Sequence, residues 1–407
     1  MIRTEGLSIV PRNICGVFRS RSAASQTVYA LVVLVIILGA AAAYGFARPT
    51  SSGTTTTVNG STVTVTASST LTTTTAIESN LASAAQAECA TAGSTCLTIL
   101  TTQSASNWAS CYGPLFDSLY PWAAGKVSYV SDSTAQLTTT VISAYQAHNV
   151  QSDVITGTLA GLIPTVAANA VMNYTSPLVP FMNYTSDAYG PAWVTTNRAI
   201  VHMIYNPKVL AANNLPVPKS WSDLANPVYK NWIAFQTGTA LGITTAEFYY
   251  LSTQMSNSSW TTLMQGIAAN NPIITSTAGN AEQDVISGQA AIGIATFDDY
   301  VSDLKANASV PMAFDDIEPI VYTPGVVMIT NGAPHPDMAK LFEAFYISVP
   351  GQTGVLCTNH DPYMSSLSTN LVTYLPSDYH LVNAYANTAL LTDSGSWSDT
   401  FKTIFGA

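Results

Sequence analysis

Between Leu97 and Thr156 the chain reads LTILTTQSASNWASCYGPLFDSLYPWAAGKVSYVSDSTAQLTTTVISAYQAHNVQSDVIT, and the order of periodicities in this stretch decides the fold. Leu97–Thr102 (LTILTT) is a short apolar run suited to a buried strand, and a helix is expected from about Ala105 to Leu119. Lys126–Val130 (KVSYV) alternates as a strand. Ser133 and Gln136 then make an S-x-x-Q capping box ahead of Leu137, Val141 and Tyr145 at helical spacing, and Asp153–Thr156 (DVIT) supplies a third strand. Strand, helix, strand, helix, strand predicts an α/β fold with a mainly parallel sheet.

Outward from this core, a second set follows: Ile200–Asn206 (IVHMIYN), Trp232–Gln236 (WIAFQ), a long helix through Phe248 and Leu251, Ala290–Phe297 (AAIGIATF) and Gly325–Thr330 (GVVMIT). In PDMAKLFEAFY, Met338, Leu341, Phe342, Phe345 and Tyr346 share one helical face. Two α/β sets in one chain predict two lobes, although no repeat of fixed period is visible.

Toward the N-terminus, Thr27–Ala47 runs 21 residues without a charge, long enough to span a bilayer. Arg3, Arg12, Arg19 and Arg21 precede it and Arg48 follows, so residues 1–26 are expected in the cytoplasm and everything after residue 47 outside, as a single-pass protein of the cell membrane. A cleaved signal peptide is the alternative, as is a pilin-like signal cut near Ala23–Gln26 that leaves the apolar helix in place. Residues 48–76 read as a Thr/Ser-rich stalk, because 18 of the 26 residues from Thr50 to Thr75 are Thr or Ser. Residues 77–407 are the globular part. Asn59, Asn173, Asn183, Asn257 and Asn307 head glycosylation sequons. Cys89, Cys96, Cys111 and Cys357 lie on the outer side as disulfide candidates with three possible connectivities.

The chain of 407 residues is 47% hydrophobic and only 9% charged, against roughly a quarter charged in ordinary soluble proteins. With 13 basic and 23 acidic residues its net charge is −10, which argues against nucleic acid as a partner, and its hydrophobicity excludes intrinsic disorder. Without Glu5 and the four cytoplasmic arginines the exposed part is near −13 at neutral pH. A fold that leans on hydroxyl, amide and apolar contacts in place of ion pairs suits an acidic exterior, and an acidophilic, archaeal source is the expectation.

In open α/β sheets a ligand sits where strands end and helix N-termini begin. The tips there are Gln103–Ser106, Ser131–Thr134, Thr156–Thr158, Gln236–Thr239 and Thr296–Asp299. From them we take Ser104, Ser106, Asp132, Ser133, Thr134, Thr158, Thr237, Gly238, Thr239, Asp298 and Asp299 as candidate ligand-binding residues, with Tyr322 before a strand crossing. Hydroxyls and backbone N–H groups at positive helix ends favour a small polar or anionic solute. The plainer role for the Ser and Thr residues is helix capping. Trp193 is placed either to stack on a ligand or to pack between lobes. Neither a G-x-S-x-G elbow, an H-E-x-x-H pair nor a P-loop occurs, and the five histidines lack ligand spacing, so neither an enzyme nor a cofactor or resident metal is expected.

The passage VHMIYNPKVL followed by LPVPKSWSDLANPVYKNWIAF (Leu215–Phe235), then ISGQAAIGIATFDDY (Ile286–Tyr300) and VYTPGVVMITNGAPHPDMAKLFEAFYISVPGQ (Val321–Gln352), resembles the extracellular solute-binding proteins of ABC importers, in particular the ferric-iron-binding group. The resemblance covers about Cys96–Tyr363. It implies a two-lobed, periplasmic-binding-protein-like (type II) fold: lobe one at about 95–197 plus 320–352, lobe two at about 198–319 plus 353–407. It also implies delivery of a solute to an ABC permease and its ATPase. A surface sensor or surface-layer component on the same fold is the alternative. Ferric binders carry an adjacent tyrosine pair after the strand equivalent to AAIGIATF, where this chain has Asp298, Asp299 and a single Tyr300; its one such pair, Tyr249 and Tyr250, lies within a helix. The resemblance therefore implies iron less than it implies a polar or anionic solute.

Overall fold

The computed structural model describes residues 54–58, 61–65 and 69–406, apart from 183–188, 239–241, 308, 315–316, 318, 365–366, 368–379 and 386–393. The apolar run Thr27–Ala47 lies outside the described residues, as do Asn59 and Asn183. No helix among those described is long and apolar enough to cross a membrane.

Residues up to Ser79 and those from Asn80 onward form separate units. In the first, Thr54–Val58 pairs antiparallel with Ser61–Val65 in register from Thr54↔Val65 to Val58↔Ser61. A segment expected as extended stalk thus holds a hairpin, and a helix, Ser69–Thr91, begins before the stretch ends. Four threonines and Val58 ahead of an Asn-Gly dipeptide, and alternating Thr and Val after it, carry the hairpin signal.

The second unit is built on eight main strands: β1 (Leu97–Thr101), β2 (Val127–Ser131), β3 (Val154–Thr158), β4 (Trp193–Tyr205), β5 (Ile233–Gln236), β6 (Ile273–Thr275), β7 (Ile292–Thr296) and β8 (Ile320–Ile329). Their order across the sheet is β2-β1-β3-β8-β4-β7-β5-β6. β1 pairs parallel with β2 and β3, and β8 lies antiparallel to β3. In the other half β5 pairs parallel with β6 and β7, and the far end of β4 lies antiparallel to β7. Each half therefore has three parallel strands in the order second, first, third, closed by an antiparallel strand that arrives from elsewhere in the chain. This is a repeat of topology without a repeat of sequence, so no fixed period could reveal it.

β4 and β8 tie the halves together. β4 pairs with β8 through Val194–Ile200 and with β7 through Val201–Tyr205. Burial follows position: every residue of β7 and of β8 is buried, whereas the edge strand β2 has none buried and leaves Val130 45% exposed.

The helix Pro336–Ile347 departs from its one-faced pattern. Nine of its residues, including Glu343, are buried. It packs on β8 and β4 while Phe342 and Phe345 meet Phe116, and Phe342 also meets Trp108. Before Phe116 the chain makes a π turn, Trp108–Tyr112, in which the Gly113 N–H reaches Trp108 O. Pro114 explains the turn, since it lacks the N–H that would pair with Ser110 in a regular helix. The C-terminal helix Ser394–Phe405 sets Phe401 and Phe405 against Phe235, and Phe405 also stacks on Phe248. Of the three possible cysteine pairings, the fold selects Cys89–Cys96 and Cys111–Cys357, with Cα separations of 5.0 and 5.6 Å.

Candidate functional site

Where β4 crosses β8 the register slips: Gly325 faces Asn197, but the next residue, Val326, faces Thr195. Thr196 is thus the extra residue of a β-bulge, a device that re-aims side chains. Thr196, Asn197, Gly325 and Val326 all line a cavity of ≈ 360 Å³, counted with its open mouth, together with Gln103, Thr158, Tyr346 and His360. Gly325 is required there: a Cβ on it would lie 2.2 Å from the Asn197 Oδ1. Alternation along β4 keeps Asn197 on the cavity side and turns Arg198 away to Asp361 and to the Pro362 carbonyl.

Among the described residues no Asp, Glu, Lys or Arg lines the cavity. Its polar atoms are hydroxyls, amides and one imidazole. The His360 Nδ1 lies 3.0 Å from Thr358 Oγ1 and 3.2 Å from Thr358 O. A carbonyl only accepts, so Nδ1 carries a hydrogen. Tyr346 is fully buried and its phenol is held well above its ordinary pKa by that burial, so it acts as a neutral hydroxyl. Two buried polar atoms in this wall, Gln103 Oε1 and Thr158 Oγ1, have no hydrogen-bond partner among the described residues. A buried polar atom left unpaired costs about 1–3 kcal/mol, which a ligand's hydrogen bond removes.

The residues singled out from sequence separate into three groups. Thr158 lines the cavity; it stands at the N-cap of the helix Leu159–Ala167 yet makes no capping bond. Its neighbours in the other tips are engaged locally. Ser104 accepts from the Asn107 N–H and touches Ser106 Oγ at 2.7 Å, and Ser133 accepts from the Gln136 N–H at 3.3 Å. Asp132 accepts from the Ser133 N–H at 2.7 Å, and the Thr134 methyl packs where a Cβ on Gly161 would fall. None of these five lines the cavity.

In the second half-sheet, the Thr237 N–H donates to the Thr275 carbonyl, and Gly238 lies under the Phe401 ring. Thr239 lies outside the described residues, and Asp298 and Asp299 open the helix Phe297–Ala306 with side chains that are not described. Tyr322, expected near the cleft, is instead packed with Ile200, Phe297 and Val301 in a buried cluster. Trp193 lies over Gly190. Tyr249 of the tyrosine pair stacks on Tyr385 in the core. Asn173, Asn257 and Asn307 are exposed. Among the described residues no group of three or more His, Cys, Asp or Glu is placed to hold a metal ion.

The bulge residues Thr196 and Asn197, along with Gln103 and His360, escaped the sequence reading. A Pro-Gly pair inside the apolar run of β8 was the available sign, since both residues mark bulges in strands.

Two half-sheets of matching topology joined by crossing strands, with a polar cavity at the crossing, define a two-lobed periplasmic-binding-protein fold. Residues 124–353 match the model of the bacterial extracellular solute-binding protein family, and the chain belongs to that family. It is a solute-binding protein of the ABC-importer type. Solved structures share the fold. Iron-bound HitA from Pseudomonas aeruginosa is 16% identical with a TM-score of 0.63, over 75% of this chain and 98% of that one. AfuA from Actinobacillus pleuropneumoniae, solved with exogenous fructose-6-phosphate, is 19% identical with a TM-score of 0.60, over 77% and 97%. The substrate binding protein of an ABC transporter from Agrobacterium tumefaciens is 10% identical with a TM-score of 0.61, over 76% and 95%. No curated protein matches the chain by sequence.

Proposed function

We propose that this protein captures a small polar solute in the cavity at the β4–β8 crossing and delivers it to an ABC permease driven by its ATPase. The observation that carries the reading is a pair of atoms, Gln103 Oε1 and Thr158 Oγ1, that have no partner among the described residues and lie in a cavity whose described lining is polar and holds no carboxylate. We take lobe one as residues 95–197 plus 320–352 and lobe two as 198–319 plus 353–407, so the cavity sits mainly on lobe one and the crossing, with His360 contributed by lobe two, which closes over it. Closure follows from the extra contacts a solute makes with lobe two, because a ligand shifts the open–closed balance only by its differential affinity. The run Thr27–Ala47 is assigned as the anchor that holds the globular part at the outer face of the membrane.

The test is a thermal-shift screen of the full-length chain against sugars, polyols, phosphate, sulfate, sugar phosphates and Fe³⁺, followed by small-angle scattering with any hit. Stabilisation by one solute class with a fall in radius of gyration is the expected result. No response across the panel would sink the reading, and stabilisation by Fe³⁺ alone with a tyrosinate colour would replace the solute.

A further inference from the structure

The passage Val321–Gln352 ends in SVPGQ, which joins the helix Pro336–Ile347 to the next one, Val349–Cys357. Ser348 closes the first helix by sending its N–H and its hydroxyl to the Phe345 carbonyl, and opens the second by accepting the Gln352 N–H at 2.8 Å. Gly351 lets the two helices approach, because a Cβ there would run into the Phe345 carbonyl and the Tyr346 backbone. The turn delivers Gln352, fully buried, to a point where three stretches of backbone meet. Its Nε2 donates to the Thr196 carbonyl at 2.8 Å and to the Tyr346 carbonyl at 3.0 Å, and its Oε1 accepts from the Met364 N–H at 3.1 Å. Carbonyls only accept and a backbone N–H only donates, so these partners fix which end of the amide is which.

Two of the three partners belong to residues of the cavity wall. Thr196 is the extra residue of the β4 bulge, which the ladder leaves unpaired. Its carbonyl accepts instead from Gln352 and from the Tyr363 N–H at 3.4 Å. The Tyr346 carbonyl lies in the last turn of its helix, where carbonyls have no intrahelical partner. On the cavity side the Thr196 and Tyr346 side chains also bond to each other. The bulge and the helix end are therefore tied twice, by hydroxyls at the cavity and by Gln352 behind it. The third bond draws in the returning segment whose Asp361 and Pro362 pair with Arg198 and Asn197 of β4.

We propose that Gln352 is a positioning residue of the solute site: it clasps the bulge to the end of the helix that carries Tyr346, and thereby aims Thr196 and Asn197 into the cavity. This role rests on the proposed binding of a solute in that cavity. Gln352 does not itself line the cavity, so its replacement reaches a solute only through the residues it holds.

Gln352→Met keeps the bulk and removes all three bonds. Asn270→Ala is the matched control, since the buried Asn270 amide likewise donates to two carbonyls, those of Leu224 and Asn226, away from the cavity. Both are made in the full-length chain. Without solute, hydrogen exchange followed by mass spectrometry should show Gln352→Met speeding exchange at residues 194–199 and at Met364, and Asn270→Ala leaving those residues unchanged. D-glucose, myo-inositol, inorganic phosphate and sulfate are then titrated by calorimetry. Gln352→Met should weaken whichever probe binds by about tenfold and Asn270→Ala should not. Asn197→Ala should weaken the same probe by about tenfold, and adding Gln352→Met to it should cost little more, because the clasp acts through the bulge residues. Should Gln352→Met not fold, Gln352→Glu carries the same comparison, keeping an oxygen for Met364 while losing both donated hydrogens.

Unchanged affinity in the Gln352 variant, an equal loss in Asn270→Ala, or additive losses in the double variant would each overturn the positioning role. Silence from every probe alongside the expected exchange pattern would remove the solute-binding reading and Gln352's part in it, while leaving the clasp as a structural element.

Discussion

Three hydroxyls at equivalent helix starts show how one residue type divides between structure and function. Ser104 and Ser133 spend their oxygens on capping, while Thr158 at the third start does not. Replacing Ser133 by Ala is therefore expected to cost about 1 kcal/mol of stability with no change in solute affinity. Thr158→Val, which keeps the shape and removes the hydroxyl, is expected to leave stability within about 0.5 kcal/mol and to weaken solute binding about tenfold. Urea denaturation and titration of the solute identified by the screen check both, and a Thr158→Val protein that binds as the wild type does would remove Thr158 from the site. Sequence alone placed all three hydroxyls at strand ends. Which of them cap was decided by side-chain rotation, and that no spacing rule records.

At the scale of elements, the site depends on a bulge and a staple. Gly325→Ala would drive a Cβ into Asn197, which is buried and has little room to yield. A loss of about 1–3 kcal/mol and of solute binding is expected, with Asn197→Ala in the same chain restoring stability but not binding. Denaturation midpoints of the single and double variants measure the coupling; additive effects would show that the close approach is unimportant. The Cys111–Cys357 bond closes a sequence separation of 246 residues. Replacing both cysteines by Ser is expected to lower stability by about 2–5 kcal/mol, read from denaturation under non-reducing conditions. The parallel strands and their helices were legible in hydrophobic period. The bulge was not, because it arises from the pairing of two strands more than a hundred residues apart.

At the scale of the molecule, every carboxylate shift resolved among the described residues runs upward, for Glu78, Glu88, Asp117, Asp153 and Glu343, with burial as the leading cause. Glu343 is raised to about 8 by complete burial, against the single stabilising Ser176 N–H. An acid whose folded pKa lies above its unfolded value binds its proton more tightly when folded. Stability is then full below about pH 4.5 and falls as pH rises to about 8, by on the order of 5 kcal/mol for Glu343 alone. Stability measured from pH 3 to 9 should accordingly peak on the acid side, and Glu343→Gln should flatten the alkaline decline; an optimum near neutrality with unfolding below about pH 4 would contradict both.

Hydrophobic period and the order of elements by themselves determined the α/β class and the two lobes, because these depend on which residues must be buried and in what sequence, while the family was legible only through the resemblance of its ordered motif passages. Cysteine pairing, the bulge at the crossing and the covering of Gly238 by Phe401 were decided only by tertiary structure. Each depends on atoms brought together from distant parts of the chain, where a difference of an ångström selects between a cap, a core contact and a ligand-facing group.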